Sequence, residues 1–321
     1  MSKRLVFFNN NYIDEKDAKI SIYDSALMFG DMVFEMTRSF NQKQFLLKEH
    51  IERLFNSANY VDIEIPYTKN ELFKICEEVV EKNKDAFNDD DEHRLMINIT
   101  RGHLSIYQNA LGEKSKTNVI VSDFPLRWTV QSMGPLFDHG INVVVTNQKI
   151  IPAQLLEPKV KSRSRLHYMM ANLEVSRQKG KNNWALLTDP DGFVAEGTGS
   201  NFVIVKNNQI ISPEPRNILR GISLDYVKTL SKKLKINFIE KNFEPYDVQF
   251  ADEAFMTGTP FCLLPVTSIH NKKIGNGKMG KVTKKILNKW NDEVGLNIQK
   301  QISSWYAREE VGVSPYKIIK S

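Results

Sequence analysis

The sequence predicts an α+β protein with two domains, on three observations. At 321 residues the chain is long for one hydrophobic core and comfortable for two. Its first half alternates short strand-like runs with only two clear helical patterns. A turn-rich stretch of weak periodicity, PLRWTVQSMGPLFDHG (125–140), then interrupts the pattern. These place an N-terminal α+β domain at 1–124, a linker at 125–137 and a second domain at 138–321 that ends in a helical tail.

Taken in order, RLVFFNNNYID (4–14) reads as a β-hairpin with an Asn-rich turn. VFEMTRSF (33–40) and QFLL (44–47) read as two more strands around the NQK turn. HIERLFNSANYV (50–61) is an amphipathic helix with Ile51, Leu54 and Ala58 on one face. NELFKICEEVVEKN (70–83) is a second helix, and RLMINITRG (94–102) and NVIVSDF (118–124) are strands.

Beyond the linker, INVVVTNQKI (141–150) opens the second domain as a strand. LHYMMANLEVSRQKG (166–180) is a helix with a Gly stop. WALLTDPDGFVAEGTGSNFVIV (184–205) is a strand, a DPDG turn and a further strand pair. GISLDYVKTLSKKL (221–234) is a helix, and EAFMTGT (253–259) is a strand leading into a loop. The segment 279–308 is helical with a break at Gly295.

Composition removes several function classes. The net charge of +6 and pI of about 9.0 would suit an anionic partner, but the basic excess is spread along the chain. No basic stripe with aromatic readers is present, so nucleic acid is not expected. Cys76 and Cys262 form no CxxC pattern, and the six histidines include no HExxH, so no metal is expected. No apolar run approaches the roughly 18 residues of a membrane span, and no signal-peptide core is visible. The expected setting is the cytoplasm.

Several short motifs could carry chemistry. In PKVKSRSRLHY (158–168), Lys159, Lys161, Arg163, Arg165 and His167 fall at alternate positions. An extended strand would place them on one face, as either a reactive group in basic surroundings or a solvated edge. VAEGTGSNF puts Glu196 before a Gly-rich turn, where it could pair with a cationic ring nitrogen or cap the turn. GISLDYVKTL opens a helix at Gly221, Ile222 and Ser223, as an anion site or a plain cap. MTGTP (256–260) offers Gly258 for close backbone approach and the Thr259 hydroxyl, or is a simple turn. GNGKMG (275–280) matches a dinucleotide-loop pattern, but the remaining residues lack the strand and acidic residue which that reading needs.

Together these motifs resemble a family. HIERL (50–54), Lys161 opening KSRSRL, EGTGSNF, RGIS and ADEAFMTGT occur in that order, and FGDMVFEMTR (29–38) is similar to an FGDGVFE signature. The chain resembles the class IV, fold-type IV pyridoxal-phosphate aminotransferases over about Ser21 to Leu287. That family includes branched-chain and D-amino acid aminotransferases, (R)-amine transaminases and aminodeoxychorismate lyase. The resemblance implies a smaller N-terminal α+β domain and a larger domain with a β-barrel-like core and flanking helices.

It also implies a homodimer with the active site near the domain and subunit interface, and pyridoxal 5′-phosphate as cofactor. Lys161 stands at the Schiff-base lysine, with Lys159 as the competitor. Arg53 would pair with the cofactor phosphate, and Ile222, Ser223, Gly258 and Thr259 would complete the anion cup. Glu196 would hold the pyridine nitrogen protonated, braced by Asn201. Arg163 and Arg165 would lower the pKa of Lys161, or lie on the surface. Kinetics should be ping-pong, with an amino donor and a 2-oxo acid acceptor.

The chain departs from its relatives in places. The RxH trap of the D-enzymes finds no counterpart at Ile106 to Gln108, and the second Arg of the lyases is absent. The YxRP of branched-chain enzymes is reduced to ITRG, which keeps Arg101 as a candidate for the substrate carboxylate, beside backbone N–H groups near Thr259. EGTGSNF is closer to the branched-chain EGxGEN than to EGSSSN. Leu166 stands where those enzymes have a cofactor-contacting Tyr; Tyr168 is a substitute or a helix-core residue. Phe29, Phe34, Tyr107 and Pro260 are candidates for lining an apolar substrate pocket. Branched-chain L-amino acids are the expected donors. The alternatives are D-amino acids or (R)-amines, a lyase reaction and, from another class, a nucleotide-dependent oxidoreductase.

Overall fold

A computed structural model describes residues 4–112 and 116–308. The chain forms two compact units: Met1–Trp128 with Val160–Arg165, and Thr129–Lys159 with Leu166–Ser321. The expected tail beyond Arg308 lies outside the described residues.

The first unit is built on a five-stranded sheet. Its strands are β1 (Leu5–Phe8), β2 (Asn11–Asp14), β3 (Met32–Met36), β4 (His93–Thr100) and β5 (Asn118–Pro125), in the order β2-β1-β5-β4-β3. All neighbours are antiparallel. Along β5 buried and half-buried residues alternate, the period-two pattern of a sheet with one face on a core. Helices α1 (Leu47–Tyr60) and α2 (Lys69–Asn83) cover that face.

Ile51, Leu54 and Ala58 of α1 pack with Leu72, Cys76 and Val79 of α2 against Leu95, Ile97, Val119 and Val121. α2 starts at a capping box: Thr68 Oγ1 accepts from the Glu71 N–H while the Glu71 carboxylate accepts from the Thr68 N–H. The VFEMTRSF run breaks after Met36. Ser39–Phe40 instead pairs with Lys43–Gln44 in a separate two-stranded ribbon.

Residues 160–165 add to the free edge of this sheet. The Phe34 N–H donates to the Lys161 carbonyl at 3.0 Å, and the Arg163 N–H donates to the Met32 carbonyl at 3.2 Å. Val33 and Ser162 form an antiparallel bridge. Val160 packs onto the core and anchors the segment.

The second unit holds β6 (Ile141–Val145), β7 (Asn183–Thr188), β8 (Val194–Gly197), β9 (Asn201–Lys206), β10 (Gln209–Ser212), β11 (Phe238–Glu240), β12 (Glu253–Gly258), β13 (Cys262–Ile269) and β14 (Lys272–Lys273). The order is β8-β7-β6-β13-β12-β9-β10-β11, with β14 on β13. A further pairing of β8 with β9 at Glu196 and Asn201 returns the path to its start. Strands β6 to β9, β12 and β13 therefore close into a barrel. Its helices are α3 (Leu166–Ser176), α4 (Ile222–Lys233), α5 (Lys281–Val294) and α6 (Ile298–Arg308), with Gly295 capping α5 in the left-handed conformation.

The segment expected as linker contains short helical turns at 127–130, 131–133 and 136–139. Cys76 and Cys262 are buried free thiols.

Candidate active site

The candidate residues fall in both units. In the first, the alternating basic run behaves as an extended edge strand should. Lys161 Nζ, the Arg163 guanidinium and the Arg165 guanidinium lie 4.8, 3.6 and 5.6 Å from the ring centroid of Phe34. Phe34 is itself buried, at 2% exposure. The Lys161 N–H donates to Ser57 Oγ of α1 at 3.1 Å, which fixes the backbone that carries the amine. The other members of the alternation go elsewhere: Lys159 pairs with Glu157 at 2.6 Å, and His167 lies in α3.

Arg53 is held by Glu35. Its Nε and a terminal nitrogen donate to the two Glu35 oxygens at 2.6 and 2.9 Å, a bidentate pair. His50, one helical turn earlier on the same face of α1, places Nδ1 2.7 Å from Glu35 Oε2. Burial pushes the His50 pKa down, so its neutral ring donates to the carboxylate. Burial alone would raise Glu35, but Arg53 and His50 together hold it well below the ordinary carboxylate value. Glu35 and His50, which hold Arg53, carry a signal in the sequence, in the HxxR spacing and the Glu that closes FGDMVFE.

Arg101 was expected to be available for a substrate carboxylate. Instead its Nε and a terminal nitrogen donate to Asp31 at 2.6 and 3.1 Å, and its terminal nitrogens reach the Asp62 and Val61 carbonyls at 2.8 and 2.6 Å. The group ties the start of β3 to the end of α1. Phe29 is 65% exposed, and Tyr107 lies against Tyr23 with ring centroids 5.2 Å apart.

In the second unit Glu196 is buried, at 4% exposure, where the barrel closes. Its carboxylate accepts from the Tyr168 hydroxyl at 2.5 Å, the Leu219 N–H at 3.2 Å and Asn201 Nδ2 at 3.3 Å. Asn201 also donates to the Leu219 carbonyl at 2.9 Å. Tyr168 is thus not a helix-core tyrosine, because its hydroxyl is aimed at the carboxylate. Leu166, two residues earlier, is 74% exposed.

Gly221 is the N-cap of α4, and no side chain caps the helix start that carries Ile222 and Ser223. The first N–H groups of a helix have no intrahelical acceptor and attract anions. A Cβ at Gly221 would stand 2.0 Å from Asn201 Oδ1, so only glycine brings the helix start this close to the Glu196 turn. Gly258 ends β12 opposite Cys262, with half-buried Thr259 and Pro260 in the turn between them.

The first unit offers a lysine amine and an arginine, and the second a buried carboxylate and an uncapped helix start; each is a group of the kind that pyridoxal phosphate binds. Among the described residues no group of three or more His, Cys, Asp or Glu could hold a metal ion. None of the described helices is long and apolar enough to cross a membrane.

An α+β unit and a unit built on a closed barrel are the architecture of the fold-type IV pyridoxal-phosphate enzymes. The sequence profile described as "Amino-transferase class IV" matches residues 32–269, and the chain belongs to that family. The chain is 34% identical over 290 residues to a protein of Methanocaldococcus jannaschii named "Putative branched-chain-amino-acid aminotransferase", covering 89% of this chain and 95% of that one. It is also 28% identical over 285 residues to a D-alanine aminotransferase of Listeria monocytogenes serotype 4b, covering 88% and 93%. The branched-chain amino acid aminotransferase of Escherichia coli superposes with a TM-score of 0.79 at 26% identity over 92% and 95% of the two chains. The T.th. enzyme of the same name, solved with pyridoxamine 5′-phosphate, superposes with a TM-score of 0.78 at 25% identity over 96% and 98%. The protein is an aminotransferase with pyridoxal 5′-phosphate as its cofactor, and its substrates are an amino acid and a 2-oxo acid.

Proposed function

We propose that the protein moves the amino group of a branched-chain L-amino acid to 2-oxoglutarate or another 2-oxo acid in a ping-pong cycle, as a cytoplasmic homodimer. The observation that supports this reading is the 34% identity to the Methanocaldococcus jannaschii protein named "Putative branched-chain-amino-acid aminotransferase". Each methylene of a donor side chain buried in an apolar pocket is worth about 0.8 kcal/mol.

When bound, pyridoxal phosphate supplies the electron sink for the substrate α-carbon. The Lys161 amine would hold the cofactor aldehyde, and as a free amine it would move the substrate α-proton as a positioned base, a role worth on the order of 10²–10⁴-fold. Glu196 would pair with the ring nitrogen, and Tyr168, Asn201 and the Leu219 N–H hold its carboxylate in place. Arg53, held by Glu35 in the first unit, would offer its charge to a phosphate, and in the second unit the α4 start and the turn at Gly258 and Thr259 would offer hydrogen-bond donors. Leu27, Phe29 and Ile106 expose apolar side chains on the first unit, which supports association.

The test measures initial rates with L-leucine, L-alanine, D-alanine and (R)-1-phenylethylamine, using 2-oxoglutarate as acceptor. L-leucine should exceed L-alanine by roughly tenfold. Faster turnover of D-alanine or the amine favours the second reading, a D-amino acid or (R)-amine transaminase, which the D-alanine aminotransferase relatives keep in view.

A further inference from the structure

Arg163 is a cation without an acidic partner among the described residues. Its guanidinium stacks on Phe34 at 3.6 Å, and one terminal nitrogen donates to Asn98 Oδ1 at 3.2 Å and lies 3.1 Å from Met96 Sδ. A half-buried guanidinium with most of its five N–H donors uncommitted to the protein can present them to a ligand. Burial and the charge of Arg165 both push its pKa below the ordinary value, as desolvation and a like charge should.

Its position says which ligand would use those donors. Phe34 and Asn98 are directly opposed on β3 and β4, so ring and amide form one rigid platform. The same ring carries Lys161 Nζ at 4.8 Å. The substrate carbon that reacts must reach Nζ, and in every amino acid and 2-oxo acid that carbon bears the α-carboxylate. Stacking presents the edge of a guanidinium, where its fork of donors matches a carboxylate. Arg101, the other arginine expected to do this, is bound to Asp31 and two backbone carbonyls.

We infer that Arg163, oriented by Asn98 and Phe34, binds the α-carboxylate of both the amino donor and the 2-oxo acid acceptor. This rests on the aminotransferase reading of Lys161, and it goes beyond that reading by naming the specificity group.

The test compares wild type with Arg163→Leu as pyridoxal-phosphate-loaded enzymes, with the fold checked by circular dichroism. Calorimetric titration uses two unreactive probes of one shape, 4-methylpentanoate and 4-methylpentanamide. The variant should bind the acid about 10–100-fold more weakly and the amide unchanged. KM for L-leucine and for 2-oxoglutarate should rise in parallel. Should Arg163→Leu fail to fold, Arg163→Gln is read by the same criteria. Equal affinity of wild type and variant for the acid overturns the inference. So does a KM effect confined to glutamate and 2-oxoglutarate, which would move the contact to a distal carboxylate. Wild-type failure with branched-chain donors would sink the proposed substrate class alone, since Arg163 is then read with whichever amino acid is turned over.

Discussion

The Tyr168 hydroxyl donates to Glu196 across 2.5 Å, joining the first turn of α3 to the strand that closes the barrel. Tyr168→Phe removes one of the protein donors to a buried carboxylate, a loss of about 1–3 kcal/mol. The single-turnover half-reaction with L-leucine should slow roughly tenfold, with the fold intact. An unchanged half-reaction would make the tyrosine a packing group.

Lys161→Ala should abolish the yellow cofactor absorbance and lower turnover by several orders of magnitude, whereas Lys159→Ala should do neither. The geometry separates them: Lys159 forms an ion pair with Glu157, while Lys161 faces Phe34. Absorbance lost from the Lys159 variant and kept in the Lys161 variant would reverse the assignment.

Glu35 predicts an acid limit. Its pKa is lower folded than unfolded, so its contribution to stability is complete above the ordinary value of 4.5 and is lost as pH falls below it. Glu35→Gln should be less stable at neutral pH by about 3–5 kcal/mol, since Arg53 loses a buried partner. Its urea-unfolding free energy should then change less than that of wild type as pH drops. Parallel pH profiles for the two proteins would remove Glu35 from the acid response.

Gly221→Ala should be poorly tolerated. Its Cβ would stand 2.0 Å from Asn201 Oδ1, and Asn201 is fixed by its bond to the Leu219 carbonyl. Overpacking of this kind costs about 1–3 kcal/mol. The cofactor dissociation constant should rise with the loss of thermal stability. A variant with wild-type affinity would detach the α4 start from the cofactor.

Much of this was legible in sequence. Hydrophobic spacing locates α1 and α2, and the ordered motifs identify the family. What escaped was set by contacts distant in sequence. Nothing local to ITRG says that Asp31, seventy residues earlier, occupies Arg101. Tyr168 sits on a helix of ordinary pattern, and only the fold brings Glu196, 28 residues on, to its hydroxyl. The short helices at Ser25–Phe29 and Ser105–Leu111 hold too few turns for periodicity to register.

The hydrogen bonds from residues 161–163 to β3 have a second consequence. An uncovered outer strand invites another polypeptide to pair with it, which is a route to aggregation. In this unit the stretch that bears Lys161 shields that strand, and its three cations repel any approaching chain of the same kind. Protection of the sheet edge and the roles proposed for Lys161 and Arg163 therefore draw on the same six residues, and selection on one constrains what the other can become.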